Sequence, residues 1–217
     1  MNWKKALEDY QIYLQFERAM ATNSINSYVY DVQKLVNFLE DSESAVSPVN
    51  IDEETIKTFV YEVSKLVNAR SQSRIISGLR SFFDYMVLEG YREDNPVKRL
   101  AIPKIGRKLP DTLSTKEIDQ MIEAVASRTR QHQRNAAILE MLYSCGLRVS
   151  ELINLKFSDL FFKEDFIRII GKGNKTRLIP VAQSTKDAIH NYQKRDRYCL
   201  QPDEASADIV FLNQLAK

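Results

Sequence analysis

The chain has 217 residues, 44% of them hydrophobic, with 31 lysines and arginines against 29 aspartates and glutamates and a formal net charge of +2. That is apolar material for one large domain or two small ones, and so small a net charge makes any nucleic-acid reading depend on where the charges lie. Two cysteines, Cys145 and Cys199, exclude a disulfide framework or a cysteine metal cluster; with no leader-like start and no apolar run near the roughly 18–20 residues of a membrane span, a reduced, cytoplasmic protein without a membrane partner is expected.

Trp3, Leu7, Tyr10 and Leu14 recur at helical spacing and predict a first amphipathic helix with an aromatic-rich inner face. Thr22 can cap a second helix, in which Ile25, Tyr28, Val32, Leu35 and Leu39 form the buried stripe. Its early outer face carries Asn23, Asn26 and Ser27, groups able to touch phosphates or base edges and equally usual on any wet helix. Asp41 to Asn50 reads as a loop, and a third helix follows from about Asp52 to Val67, its acidic start suiting the positive end of the helix dipole.

The fourth helix, from about Ser71 to Glu89, has Ile75, Ile76, Leu79, Phe82, Phe83 and Met86 inside and leaves Ser73, Arg74, Ser77 and Arg80 outside. Gly78 in its middle costs roughly 1 kcal/mol relative to alanine, which predicts close approach of another helix or of a backbone phosphate. Such a face can enter a major groove, arginine reading guanine and hydroxyls touching phosphates. Nine basic and four acidic residues lie between Arg70 and Lys108, against two lysines and seven acidic residues between Glu40 and Leu66. A face for an anion, or two ordinary solvated faces, would each produce this contrast.

Asn95 to Asp111 holds three prolines and five basic residues without a helical stripe, and reads as an extended cationic linker. Such a linker can run along a phosphate backbone and make a clamp of the two modules it joins. Beyond it, Ser114 and Glu117 form a capping box for a fifth helix with Ile118, Met121, Ile122 and Val125 inward, and a sixth helix near Arg134 to Cys145 should be the buried centre of a second domain. His132 falls in a polar turn and is expected to face solvent. A short helix to about Leu155, strands near 159–162, 166–170 and 177–181, a helix from about Ser184 to Tyr198, and a strand or turn at 208–212 complete the pattern.

Two stretches organise this second half. In YSCGLRVSEL, Tyr143 to Leu152, Gly146 ends a helix and Arg148 precedes Ser150, which can cap the next, so a guanidinium sits at a helix–helix corner. In IGKGNKTRLI, Ile170 to Ile179, a Gly-Lys-Gly between two β-branched runs reads as a hairpin tip holding Lys172. Arg168, Lys172, Lys175 and Arg177 put four positive charges in ten residues with no acid among them, suited to a minor groove or a phosphate. A planar arginine fork beside a lysine that can give up a proton is what a phosphate site requires. Each half alone is as well explained by a surface arginine and a turn; the order of the two is the specific signal.

That order resembles the first half of the catalytic domain of the tyrosine recombinases, the phage integrase and Xer family, and the N-terminal helices resemble that family's DNA-binding domain. The resemblance implies a mainly α fold: a four-helix, SAM-like DNA-binding domain at 1–95, a basic linker at 96–111, and at 112–217 the first part of an α-helical catalytic domain with a small antiparallel β-sheet, truncated. It places the catalytic roles on Arg148 and Lys172 and a site-orienting role on Glu151, and it adds support for Arg74 and Arg80 as DNA contacts beside Ser73, Ser77, Lys175 and Arg177, which the basic, hydroxyl-bearing faces suggest. It implies transesterification at a DNA phosphodiester through a 3′-phosphotyrosine, with neither metal nor cofactor. It also implies double-stranded DNA as partner, and assembly as a homo- or hetero-tetramer with a paired recombinase on two sites.

One block departs from the pattern. The family's His-x-x-Arg is absent, since His132 precedes Gln-Arg-Asn and His190 precedes Asn-Tyr-Gln, and the nucleophilic tyrosine is expected to be absent too, Tyr192 and Tyr198 qualifying by residue type only. The chain is therefore expected to be a piece of a longer recombinase that binds DNA without cutting it. The full protein would resolve chromosome dimers, or serve as integrase or invertase of a mobile element. A naturally short, non-catalytic DNA-binding relative and a helical adaptor with no nucleic-acid role are the other readings.

Overall fold

The computed structural model describes residues 1–106, 109–126, 131–171, 173 and 175–213. They form two compact units, Met1–Leu109 and Pro110–Lys217. Among the described residues no helix is long and apolar enough to cross a membrane.

The first unit is four helices: α1 (Trp3–Phe16), α2 (Thr22–Asp41), α3 (Glu53–Leu66) and α4 (Ala69–Leu88). Asn2, Asp52 and Asn68 start α1, α3 and α4 by accepting the backbone N–H groups of Lys5, Thr55 and Ser71 at 2.8–2.9 Å. Thr22, expected to cap α2, is instead its first helical residue: extended Ala21 precedes it, and the Ala21 carbonyl takes the N–H groups of Ser24 and Ile25. The predicted stripes meet in one core in which Tyr10, Leu14, Val32, Leu35, Phe59, Leu79, Phe82, Phe83 and Met86 are buried.

The close approach that Gly78 predicts is made by a neighbouring helix. A Cβ built on Gly78 would lie 2.8 Å from the Cβ of Asp31 on α2, closer than side-chain carbons approach one another. The glycine lets α2 and α4 cross at that level, and the buried Asp31 occupies the space.

Side chains stitch the loops of this unit to its helices through main-chain oxygens. Arg92 Nη1 donates to the carbonyls of Pro48, Val49 and Ile51, and Trp3 Nε1 to that of Val46. The predicted linker begins packed rather than extended: Asn95 Nδ2 donates to the Arg80 carbonyl and to Asp84, Arg80 Nη2 donates to the Leu100 carbonyl, and Val97 is buried. Arg107 and Lys108 of that stretch lie outside the described residues.

The second unit comprises α5 (Thr115–Ala126), α6 (His132–Ser144), α7 (Val149–Ile153), β1 (Leu160–Phe161), β2 (Phe166–Ile170), β3 (Thr176–Pro180) and α8 (Gln183–Tyr192). The predicted capping box opens α5: the Ser114 N–H donates to Glu117 at 2.7 Å and the Glu117 N–H to Ser114 Oγ at 3.3 Å. Its apolar stripe is only half covered, and Met121 is exposed. On α6 only Ala137 and Met141 are buried, and His132 opens that helix instead of lying in a turn. The strands form an antiparallel sheet in the order β1-β2-β3, with Ile167 opposite Ile179 and Ile169 opposite Arg177. Ile167 and Ile169 face the core, as alternation requires. The expected final strand is a single bridge, Ile209 pairing with Lys156, that leaves Val210, Phe211 and Leu212 buried.

Candidate catalytic corner and nucleic-acid interface

The corner between α6 and α7 is built by alternation. Cys145 closes α6 by donating its N–H to the Met141 carbonyl, and Gly146 turns the chain at φ +59°, where a side chain would be strained. Leu147 then enters the core, which sends Arg148 outward with its side chain 72% exposed. Arg148 itself holds the capping position of α7, not Ser150. Its N–H donates to Glu151 Oε2 at 2.9 Å, the acid half of a capping box, so the helix start is tied down by the carboxylate three residues on.

Glu151 gathers four donors. Besides the Arg148 N–H it accepts Arg148 Nη1 at 2.9 Å and both terminal nitrogens of Arg177 at 2.7 and 2.8 Å. The Arg177 hydrogen bonds, and then those from Arg148, pull its carboxyl down to about 2 against the cost of desolvation. A doubly charged fork of this kind stays ionised and rigid at any working pH. One edge of the Arg148 guanidinium is thereby fixed, and its remaining N–H groups point to solvent.

Arg177 reaches this acid because of strand parity. It lies opposite Ile169, whose side chain is buried, and residues directly opposite on antiparallel strands share a face. Predicted as a DNA contact, its guanidinium is spent bidentately on Glu151, and the alternation of Thr176 to Pro180 was the signal available in the sequence. Arg168, on the other face, pairs with Asp159 at 2.8 Å. Two of the four hairpin cations are thus matched by acids distant in sequence. Lys175 is exposed, and Lys172 lies outside the described residues. Gly171 beside it is close-packed: a Cβ there would lie 3.3 Å from Arg177 and 3.5 Å from Glu151 Oε1. Gly173 adopts φ +73°, so the second glycine of Gly-Lys-Gly is the one that backbone geometry requires.

Of the candidate tyrosines, Tyr192 is fully buried, its hydroxyl accepts the Leu212 N–H at 3.2 Å, and burial raises its pKa. Tyr198 is 85% exposed beyond the π turn Gln193–Arg197 that follows α8.

On α4 the predicted contact residues share a face but are not all unengaged. Arg74 Nη1 pairs with Asp31 Oδ2 at 2.7 Å, Arg80 is half-buried on the Leu100 carbonyl, and the Ser77 hydroxyl donates to the Ser73 carbonyl. Burial raises the Asp31 pKa, opposed by Arg74 and Lys34, and its Oδ1 is buried without a partner. No sequence pattern singled out Asp31; a polar residue inside the apolar stripe of α2 was the available sign.

The N-terminal SAM-like domain of the phage integrases matches residues 7–90, and the phage integrase family matches residues 111–217. The chain is 34% identical over 210 residues to tyrosine recombinase XerD of Oceanobacillus iheyensis, a match covering 96% of this chain and 70% of that protein. It is 37% identical over 193 residues to a tyrosine recombinase of Pseudothermotoga lettingae, covering 87% and 65%. Its fold matches that of a lambda integrase tetramer bound to a Holliday junction, with a TM-score of 0.72, 17% identity, and coverage of 100% of this chain and 61% of that one. This chain belongs to the tyrosine recombinase family, whose members are site-specific DNA recombinases.

Proposed function

We propose that the chain carries the DNA-gripping helices and the arginine–lysine half of the catalytic site of an Xer-type recombinase, which cuts and rejoins duplex DNA through a covalent 3′-phosphotyrosine. The Arg148 corner supports this best: an outward guanidinium, fixed along one edge by Glu151, with free donors for the two non-bridging oxygens of a phosphate. When a tyrosine hydroxyl attacks the phosphorus, negative charge builds on those oxygens, and donors held in advance stabilise that state more than the ground state. Lys172 gives its proton to the departing 5′ oxygen. The P–O bond to tyrosine forms and its O–H proton leaves to water as the P–O5′ bond breaks and O5′ takes the Lys172 proton, which Lys172 regains from water, so the reaction reverses when a 5′ hydroxyl attacks. Glu151 and Arg177 orient Arg148, while Ser73, Arg74, Ser77, Arg80 and Lys175 meet DNA.

These 217 residues bind duplex DNA without cutting it, because Tyr192 is buried, Tyr198, though exposed, follows no His-x-x-Arg block, and the Arg148 corner lacks that block to complete it. The recombinase works in the cytoplasm on chromosome dimers, as a homo- or hetero-tetramer on two duplexes. A role in a mobile element shares every residue named.

The test uses the product of the whole reading frame. On a nicked suicide duplex it forms a covalent protein–DNA adduct without added metal or nucleotide, and Arg148→Ala lowers the yield about 100-fold or more while duplex affinity is kept. Normal cleavage by that variant removes the assignment. The 217-residue chain gives no adduct, and its duplex affinity falls steeply with salt as phosphate contacts release counterions.

A further inference from the structure

Asp31, Arg74 and Gly78 form a unit that the catalytic reading does not use. The Asp31 side chain is 3% exposed and one of its oxygens is unpartnered, whereas the Arg74 side chain paired to the other is 47% exposed. Gly78, one turn beyond Arg74 on α4, is what lets Asp31 sit under the arginine. All three line an open groove of about 360 Å³ between α2 and α4, with Asn23, Ser27 and Ser77 along its sides. Burying a carboxylate with an oxygen left over is costly, and a pair of apolar side chains would hold these helices together at least as well. What the acid supplies, and an apolar pair would not, is a hold on one nitrogen of a half-exposed guanidinium that lines the groove. A planar fork with one edge anchored is selective for two acceptors side by side, and in duplex DNA the edge that offers them in the major groove is guanine N7 and O6.

We propose that Asp31 is a positioning residue for sequence recognition: through Oδ2 it holds Arg74 so that the free edge of the guanidinium reads one guanine in the major groove. This rests on the chain being a duplex-DNA binder. Asp31 touches no base; it decides which way Arg74 points. The neutral Asn23, Ser27 and Ser77 around the groove add hydrogen bonds to backbone or base without a competing charge.

The experiment selects bound duplexes from a pool with a randomised central block, using the 217-residue chain and its Asp31→Asn and Arg74→Lys variants. The wild-type chain prefers guanine at one position by between about 5- and 150-fold. Both variants lose most of that preference, yet keep the wild-type dependence of affinity on salt within about one phosphate contact, because no phosphate ligand has been removed. In the selected duplex, 7-deazaguanine, which lacks N7, weakens the wild-type chain and leaves both variants unchanged. Arg74→Lys leaves Asp31 and the core in place, so it decides the matter even where Asp31→Asn loosens the helix crossing. An unchanged guanine preference in both variants overturns the proposal while leaving DNA binding intact. So does an Arg74→Lys chain weakened equally on every sequence, which makes Arg74 a phosphate contact. A wild-type chain that binds no duplex overturns the proposal and the DNA-binding reading together.

Discussion

Asp31 in the N-terminal unit and Glu151 in the C-terminal unit are both carboxylates with side chains no more than 5% exposed, each beneath an outward arginine. The protein treats them in opposite ways. Glu151 is covered by its own donors, four N–H groups on two oxygens, and its carboxyl falls to about 2. Asp31 is covered by the packing of two helices, has one guanidinium on one oxygen, and its pKa rises. Inaccessibility alone therefore does not decide what burial does to an acid. Desolvation between two packed helices outweighs one guanidinium at Asp31, whereas hydrogen bonds outweigh desolvation at the Glu151 corner, so one ion pair is a rigid fixture and the other a tensioned one.

The largest expected effect comes from breaking the rigid fixture. Glu151→Ala leaves two arginines adjacent with nothing between them; because both reach water, the loss is about 2 kcal/mol rather than the about 3–5 kcal/mol of fully buried pairs. Urea-dependent hydrogen exchange in peptides spanning residues 148–181 measures it, and unchanged protection there would show that the fork contributes no rigidity.

Gly78→Ala attacks the tensioned pair from the other helix. The new methyl must displace Asp31, so despite a helix-propensity gain of about 1 kcal/mol the chain loses about 1–2 kcal/mol, read as a lower thermal midpoint of the N-terminal unit. A stabilised variant would mean that Asp31 moves aside freely.

Acid separates the two with the smallest effect and the clearest sign. Glu151 has a lowered pKa, so its contribution is complete above its ordinary value of 4.5 and drains away as pH falls toward about 2. Asp31 has a raised pKa, so the folded chain takes up its proton before the unfolded chain does. Relative stability rises as pH falls through that raised value, and the gain is complete below the ordinary 3.8. Carboxyl NMR titration should find Asp31 protonating first; the reverse order would erase the contrast.

The difference between the pairs also marks what a sequence yields. Helix stripes, the Ser114 capping box, the hairpin and the Arg148 corner follow from local spacing, because the groups involved lie within a turn or a strand pair of each other. Gly78 was legible as a close approach, though not what approached. Arg177 to Glu151 spans 26 residues and Arg74 to Asp31 spans 43, and no local period connects them. That is why Arg177 reads as a DNA contact and Asp31 draws no attention. Spacing also fixes which residues share a face of α5 without fixing how much of that face is covered, hence the exposed Met121.

Arg92 carries a different consequence. It grips the segment before α3 through three peptide oxygens and through none of that segment's side chains, so exchanging Ser44 or Ser47 leaves the grip itself unchanged. Lysine at 92 has no fork with which to span those oxygens, so the hold of this side chain on three peptide groups is lost with the guanidinium.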